Sequence, residues 1–363
     1  MRPNKPDYIL IFAIFALVIF GLVALSSASV VISQDTFGEN YYFLKHQLLY
    51  GLSIGLVGFF LCQRINYKFW KKISFPLLII SIILLALVFI PQIGYSHGGA
   101  QRWIVFGPFS FQPFEFLKLA FIIYLAALLS KKGKTNEIIK QSSIPVLLFF
   151  IVIVLLLCFQ PNISALIMIF LIAILIYFLA GLNLFYIFSL ISLSFVGLLV
   201  LIKTASYRSN RLTVFLHPET DPQGIGYQIN QALLAIGSGG LFGLGFHSIQ
   251  KWKYLPEVIG DSIFAIVAEE LGFIGAGALV ILFIILAWRG FLIAKNSSDK
   301  FGYLVAGGIT GWLFFQAFIN IAAISRLIPL TGITLPFISY GGSSLIICLA
   351  AVGILVNISK YNK

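Results

Sequence analysis

Apolar runs long enough to cross roughly 30 Å of hydrocarbon follow one another along the chain, and in lipid such segments satisfy their own backbone hydrogen bonds as helices. They lie near residues 8–31, 47–61, 73–90, 113–129, 144–159, 163–180, 184–202, 261–286, 301–324 and 342–358. The second is short unless residues 41–46 begin it, and Pro161 sits where the fifth and sixth could merge or split. The expected fold is therefore an all-α polytopic membrane protein of about ten transmembrane helices, one membrane domain over residues 1–363. A long external loop, 203–260, joins the seventh and eighth spans. Hydrophobic residues make up 60% of the chain and charged residues 10%, a balance that no soluble domain of this length carries on its surface.

The formal net charge is +12, which raises nucleic-acid binding as a function class. The basic residues sit in short clusters between apolar runs, however, where they set orientation and meet anionic lipids, and no basic face or stacking platform accompanies them. One side of the membrane receives Arg2 and Lys5, then Arg64, Lys68, Lys71 and Lys72, then Lys131, Lys132, Lys134 and Lys140. It also receives Arg289, Lys295, Lys300, Lys360 and Lys363. The opposite short loops carry little beyond Lys45, Arg102 and Arg326, so the positive-inside rule places both termini in the cytoplasm. The 203–260 connection is the weak point of that count, because it holds Lys203, Arg208, Arg211, Lys251 and Lys253. Its glycine-rich, mildly apolar middle suits a segment lying on, or dipping into, the outer leaflet. Residues 8–25 exceed a typical signal-peptide core and are followed by many spans, which reads as a retained first helix. Cys62, Cys158 and Cys348 have no metal or disulfide spacing and read as core packing. Gly51-xxx-Gly55 and Gly307-xxx-Gly311 read as close helix contacts within the chain.

Against this apolar background, the stretch KYLPEVIGDSIFAIVAEELGFIG, residues 253–275, is conspicuous for its acids. Asp261 stands where the eighth span leaves water, with Glu269 and Glu270 about two turns deeper, and ionisable groups in such places are functional candidates by default. In the fourth span, Gln112, Glu115 and Lys118 recur every three residues and are expected on one helix face, with Arg102 just outside the membrane. The bland alternative is a Glu115–Lys118 pair that only neutralises two buried charges. The topology puts the outer ends of the fourth and eighth spans in one compartment, so Arg102, Glu115, Lys118 and Asp261 are expected to converge on an outward-facing cavity. LPFISYGGSSLI brings Ser343 and Ser344 to the same face, with glycines that permit close approach. The four histidines never form a metal-ligand spacing.

Taken together, the motifs resemble the SEDS family of bacterial membrane proteins typified by FtsW, RodA and SpoVE. They are SAS after the first span, RWI-x-x-GP-x-x-x-QP-x-E-x-x-K from Arg102 to Lys118, QP at Gln160, and GYQ-x-x-QALLAIGSGGLFG-x-G. YLPE ending in Glu257, D-x-IFA-x-x-AEELGF-x-G from Asp261, and LPFISYGGSS complete the set. The wording of KYLPE and TG-x-x-LPFISYGGSS is more like FtsW or SpoVE than RodA. The resemblance implies a ten-helix inverting peptidoglycan glycosyltransferase that polymerises lipid II at the outer face of the cytoplasmic membrane, with a role in cell division. It carries the family's essential Asp onto Asp261, and Arg102, Gln112, Glu115, Lys118, Glu257, Ser343 and Ser344 form the expected substrate-binding set. It also implies a class B penicillin-binding protein as partner, along with other division proteins. No cofactor is implied with certainty; a divalent cation could share the pyrophosphate charge, though no dedicated ligand set is visible. Three positions depart from the family's wording: Phe114 within QPFE, Asn162 where QPD is familiar, and Gly260 before the Asp. A RodA-like elongation polymerase, a lipid II flippase and a non-catalytic scaffold are the competing readings.

Overall fold

The computed structural model describes residues 4–97, 100–107, 109–131, 135–183, 185, 187–188, 191–192, 197, 206–217, 220–221, 223–246 and 255–362. Most of the seventh apolar run lies outside them, as do Arg2, Lys132, Lys134, Lys203, Lys251, Lys253 and Lys363 of the charge count.

Helix α1, Tyr8–Ala28, starts where the Asp7 carboxylate accepts the Leu10 N–H at 2.9 Å, and a short α2, Val30–Phe37, follows it. Residues Tyr42–Arg64 form α3, so Tyr42–His46 does begin the second span, and a π-helical turn at Gln47–Leu52 is set into it. Then come α4, Tyr67–Lys72, and α5, Ser74–Leu87. The all-helical expectation needs one addition: β1, Gly94–His97, β2, Ala100–Phe106, and β3, Phe109–Phe111, make a small antiparallel sheet in that order. Helices α6, Pro113–Leu129, α7, Thr135–Phe159, and α8, Ile163–Leu179, follow, with Pro at the start of α6 and the Asn162 side chain capping α8. Within the long connection are α9, Ser206–Leu216, and α10, Ile225–Ser238. The chain ends with α11, Ile263–Lys295, α12, Lys300–Ile324, and α13, Gly342–Ser359. Among the described residues, five helices are long and apolar enough to cross a membrane, namely α1, α3, α11, α12 and α13, and shorter apolar helices accompany them. The protein is an integral membrane protein by that measure.

Packing explains the small residues. Gly51 and Gly55 let α3 lie against Gly342 and Ile346 of α13, while Gly307 and Gly311 of α12 meet Leu179 and Leu175 of α8. Cys62 and Cys348 are buried in these contacts. At one end of the bundle the Asn4 N–H donates to the Lys360 carbonyl at 2.7 Å, and Arg289 Nη2 pairs with Asp7 at 2.5 Å. The Tyr67 hydroxyl donates to Asp299 at 2.6 Å there as well, so Asn4, Lys360 and the basic stretches around Tyr67 and Asp299 share one end. The opposite end holds the sheet, the start of α6 and the turn before α11.

Helix α11 is broken at Gly272, where φ is 65° and ψ −165°. A break inside an apolar helix frees backbone groups that hydrocarbon cannot satisfy. Here the segment after α10 satisfies them. Leu244 N–H donates to Glu269 O at 2.9 Å and Gly245 N–H to Glu270 O at 3.0 Å, while Phe273 N–H donates back to Gly240 O at 2.9 Å. A Cβ at Gly239, Gly243 or Gly272 would collide with backbone across this crossing, which is why the segment reads GSGGLFGLG. The loop therefore lays its backbone against α11, while Leu241, Phe242, Leu244 and Phe246 stay exposed.

Candidate functional site

Asp261 lies in a turn just before α11, whose N-terminal flank is Ser262, rather than opening the helix itself. The turn is closed by Glu257, whose carbonyl accepts the N–H groups of Gly260 at 2.9 Å and Ser262 at 3.2 Å from a left-handed φ of 52°. Ser339 Oγ donates to Gly260 O at 2.7 Å and Tyr340 N–H to Ile259 O at 2.8 Å, so the loop before α13 grips the turn from its far side. The Asp261 carboxylate accepts from Gln228 Nε2 of α10 at 3.3 Å, and Gln228 also reaches Ser262 Oγ at 3.1 Å. Burial, and then the Glu257 charge, push the Asp261 carboxyl up to about 7; its own backbone hydrogen bond, the Arg211 charge and the Gln228 bond pull the other way. A carboxylate of ordinary pKa is a weak base at neutral pH, and this environment raises its basicity into the useful range.

Glu115 and Lys118 stand in the first turns of α6, and both are buried, with Lys118 only 1% exposed. Lys118 Nζ donates to Glu115 Oε1 at 2.9 Å and to Gln316 Oε1 of α12 at 2.7 Å, and it lies 4.8 Å from the centre of the Trp312 ring. A charge so far from water is tolerated because it is paired, hydrogen-bonded and set over an aromatic face. Gln316 also accepts from Trp312 Nε1 at 2.7 Å and donates to Thr334 O at 3.0 Å. One turn further along α12, Asn320 Nδ2 donates to Asp261 O at 2.8 Å and to Ile333 O at 2.7 Å. A continuous polar path thus runs from Glu115 through Lys118, Gln316 and the 333–334 backbone to Asn320 and Asp261.

The remaining expected residues fall around this path. Gln112 does not share a helix face with Glu115, because it precedes α6 with extended φ and ψ of −101° and 104°. Its N–H donates to Ser343 Oγ at 3.1 Å, and Ser343 donates to Ser110 O at 3.0 Å, so Ser343 ties the start of α13 to the sheet and to α6. Ser344 is half-buried beside it, and Glu257 is exposed at the rim. Arg102 is carried by β2 and not by a helix end; its guanidinium donates to Pro161 O at 2.6 Å and to Gln160 O at 3.5 Å. The expected shared cavity takes a different form: Glu115 and Lys118 are closed in, and their link to Asp261 is the polar path. A cavity of ≈ 560 Å³ lies elsewhere, between α1 and α11, lined by Phe12, Phe20, Phe246 and Glu270 among others, and Ser27 donates to the Glu270 carboxylate beside it. The sequence reading missed Gln228, Trp312, Gln316 and Asn320. The available signal was the pair of amides four residues apart in an otherwise apolar span.

A family model described as a cell cycle protein, covering FtsW, RodA and SpoVE, matches residues 8–363. The stage V sporulation protein E of Bacillus subtilis is 42% identical over 367 residues, which span 100% of this chain and 99% of that protein. A probable peptidoglycan glycosyltransferase FtsW of Trichlorobacter lovleyi is 41% identical, over 99% of this chain and 94% of its own. Among solved structures, a chain of a peptidoglycan synthase complex that coordinates polymerization and crosslinking superposes with a TM-score of 0.79 and 29% identity, covering 98% of this chain and 97% of that one. The rod shape determining protein RodA of Thermus thermophilus gives 0.71 and 30%, covering 99% and 98%.

Proposed function

The chain belongs to the FtsW, RodA and SpoVE family of cell cycle proteins, and from that premise we propose that it polymerises lipid II into glycan strands with Asp261 as the general base. It is a peptidoglycan glycosyltransferase, the activity that its FtsW relatives are named for. In chain extension a sugar hydroxyl of one lipid II attacks the anomeric carbon of another. The new C–O bond forms as the bond to the lipid pyrophosphate breaks, with inversion, and the hydroxyl proton passes to Asp261. The observation that carries this assignment is the geometry of Asp261, held in the turn before α11 with its carboxylate accepting from Gln228 and its carbonyl from Asn320; burial and the Glu257 charge push the carboxyl up to about 7, in keeping with a base.

Lys118, closed in and paired with Glu115, contributes a fixed positive charge to the field at the site without touching the departing pyrophosphate. Arg102 anchors the sheet at the turn before α8 and adds positive charge there. Gln112, Ser343 and Ser344 shape the rim between the sheet and α13, and Glu257 serves from the exposed side, where its charge also tunes Asp261. The site end of the bundle faces outward across the cytoplasmic membrane, with both termini inside, a reading supported by the basic loops gathered at the other end. The KYLPE and LPFISYGGSS wording, with relatives named FtsW, supports a division role.

A class B penicillin-binding protein is the proposed partner, since polymerised strands are crosslinked by a transpeptidase, and a structural neighbour is part of a complex that coordinates the two activities. The test is polymerisation of purified lipid II by the purified protein, with and without its transpeptidase. Glycan strands that lengthen faster with the partner support the reading. Bilayer flipping of lipid II without any polymer would favour a transporter, and loss-of-charge variants at Asp261 that sustain division would favour a scaffold.

A further inference from the structure

We infer that Gln316 and Asn320 of α12 are positioning residues for glycosyl transfer, which set the spacing between the Asp261 base and the Lys118 cation; this rests on the reading above. Both amides are buried, each 1% exposed, and one helical turn apart. Gln316 joins Lys118 to the carbonyl of Thr334, and Asn320 joins the carbonyl of Asp261 to that of Ile333. Ile333 and Thr334 are neighbours on the loop that grips the Asp261 turn through Ser339 and Tyr340. The two amides therefore clamp the charged groups to adjacent steps of one loop.

Asn320 has its orientation dictated by what it holds. Its Nδ2 serves two carbonyls, while its Oδ1 has no partner among the described residues. A half-turn of the amide would set oxygen against both carbonyls, so a single rotamer is enforced. Buried amides cost stability in an apolar helix that aliphatic residues would pack without penalty. Their presence between the base and the cation is explained by geometry demanded at the site. A backbone hold on Asp261 leaves its carboxylate to Gln228 and the acceptor hydroxyl.

The rest of the molecule supplies a control. Asn357 of α13 makes the same kind of clamp at the opposite end, donating to Gln63 O at 2.7 Å and accepting the Tyr67 N–H at 2.8 Å. Full-length protein, with its transpeptidase where that raises the rate, is assayed for lipid II polymerisation as Asn320→Ala, Gln316→Glu and Asn357→Ala. Asn320→Ala should lower kcat by about tenfold to a hundredfold with KM within about threefold, the signature of misplaced groups rather than lost binding. Gln316→Glu keeps an acceptor for Lys118 and Trp312 but loses the donor to Thr334, and should lower kcat by about threefold to tenfold. Asn357→Ala should keep the wild-type kcat even where its melting temperature falls as far. Should Asn320→Ala fail to fold, Gln316→Glu decides by the same criterion. Wild-type kcat in a folded Asn320 or Gln316 variant, or an equal kcat loss in Asn357→Ala, overturns the positioning role alone. A wild-type protein that makes no polymer under any of these conditions overturns the glycosyltransferase reading and this inference with it.

Discussion

Burial and the neighbouring Glu257 charge raise the proton affinity of Asp261, so its ionised form carries a cost that the fold bears for the sake of basicity. Asp261→Asn keeps the shape but accepts no proton, and polymerisation should fall by roughly 10²- to 10⁴-fold; near-normal polymer from the folded variant would reject the base assignment. The stability sign follows from the same shift. The folded carboxyl titrates near 7 against 3.8 for the free group, so the penalty is absent below the lower value and complete above the higher one. Asp261→Asn should then melt no lower than wild type at pH 8, and any advantage should vanish near pH 4. Activity should rise with pH through about 7, and Glu257→Gln, which removes the like charge, should move that limb to lower pH; an unmoved limb would show that Glu257 does not tune the base. The Glu115–Lys118 pair separates by a double-mutant comparison. Lys118→Ala leaves Glu115 buried and unpaired, and full recovery of activity in the double variant with Glu115→Ala would make the pair structural instead of catalytic.

At the scale of elements, the crossing of the glycine loop with the break in α11 couples the long connection to the helix that follows Asp261. Gly243→Ala places a methyl group against the Glu270 backbone at a positive φ of 81°, and should cost about 1–3 kcal/mol. A lowered melting temperature in detergent with reduced polymerisation is expected, and an unchanged melting temperature would show the crossing to be loose. The sequence carried the composition of this loop but not its destination. Glu269 and Glu270 marked the place by charge, but apolar residues resume at Leu271 and run on past Gly272, so hydropathy alone cannot reveal that the helix snaps there. The fourth span was legible in its bounds, residues 113–129, because Pro113 marks a helix start. Gln112 was misplaced for a related reason: short aromatic strands leading into a membrane helix have too few residues for their period to stand out from the helix's.

For the whole molecule, hydropathy and basic clusters were enough for the class of fold, since each span must satisfy its own backbone and each loop charge acts locally. The site was legible only in its charges. Gln316 and Asn320 find their partners on α6, on the 333–334 backbone and at Asp261, and no local pattern in α12 discloses contacts set by the folded bundle. The same contacts make orientation testable. Asn296, exposed after α11, lies at the end where Asn4 meets Lys360, whereas Thr220 is exposed in the long connection between α9 and α10. In a background lacking Cys62, Cys158 and Cys348, a membrane-impermeant maleimide should label Thr220→Cys in intact cells. Asn296→Cys should react only after the cells are opened. Labelling of both positions from outside would invert or break the proposed topology, and would remove Asp261 from the compartment in which the glycan is built.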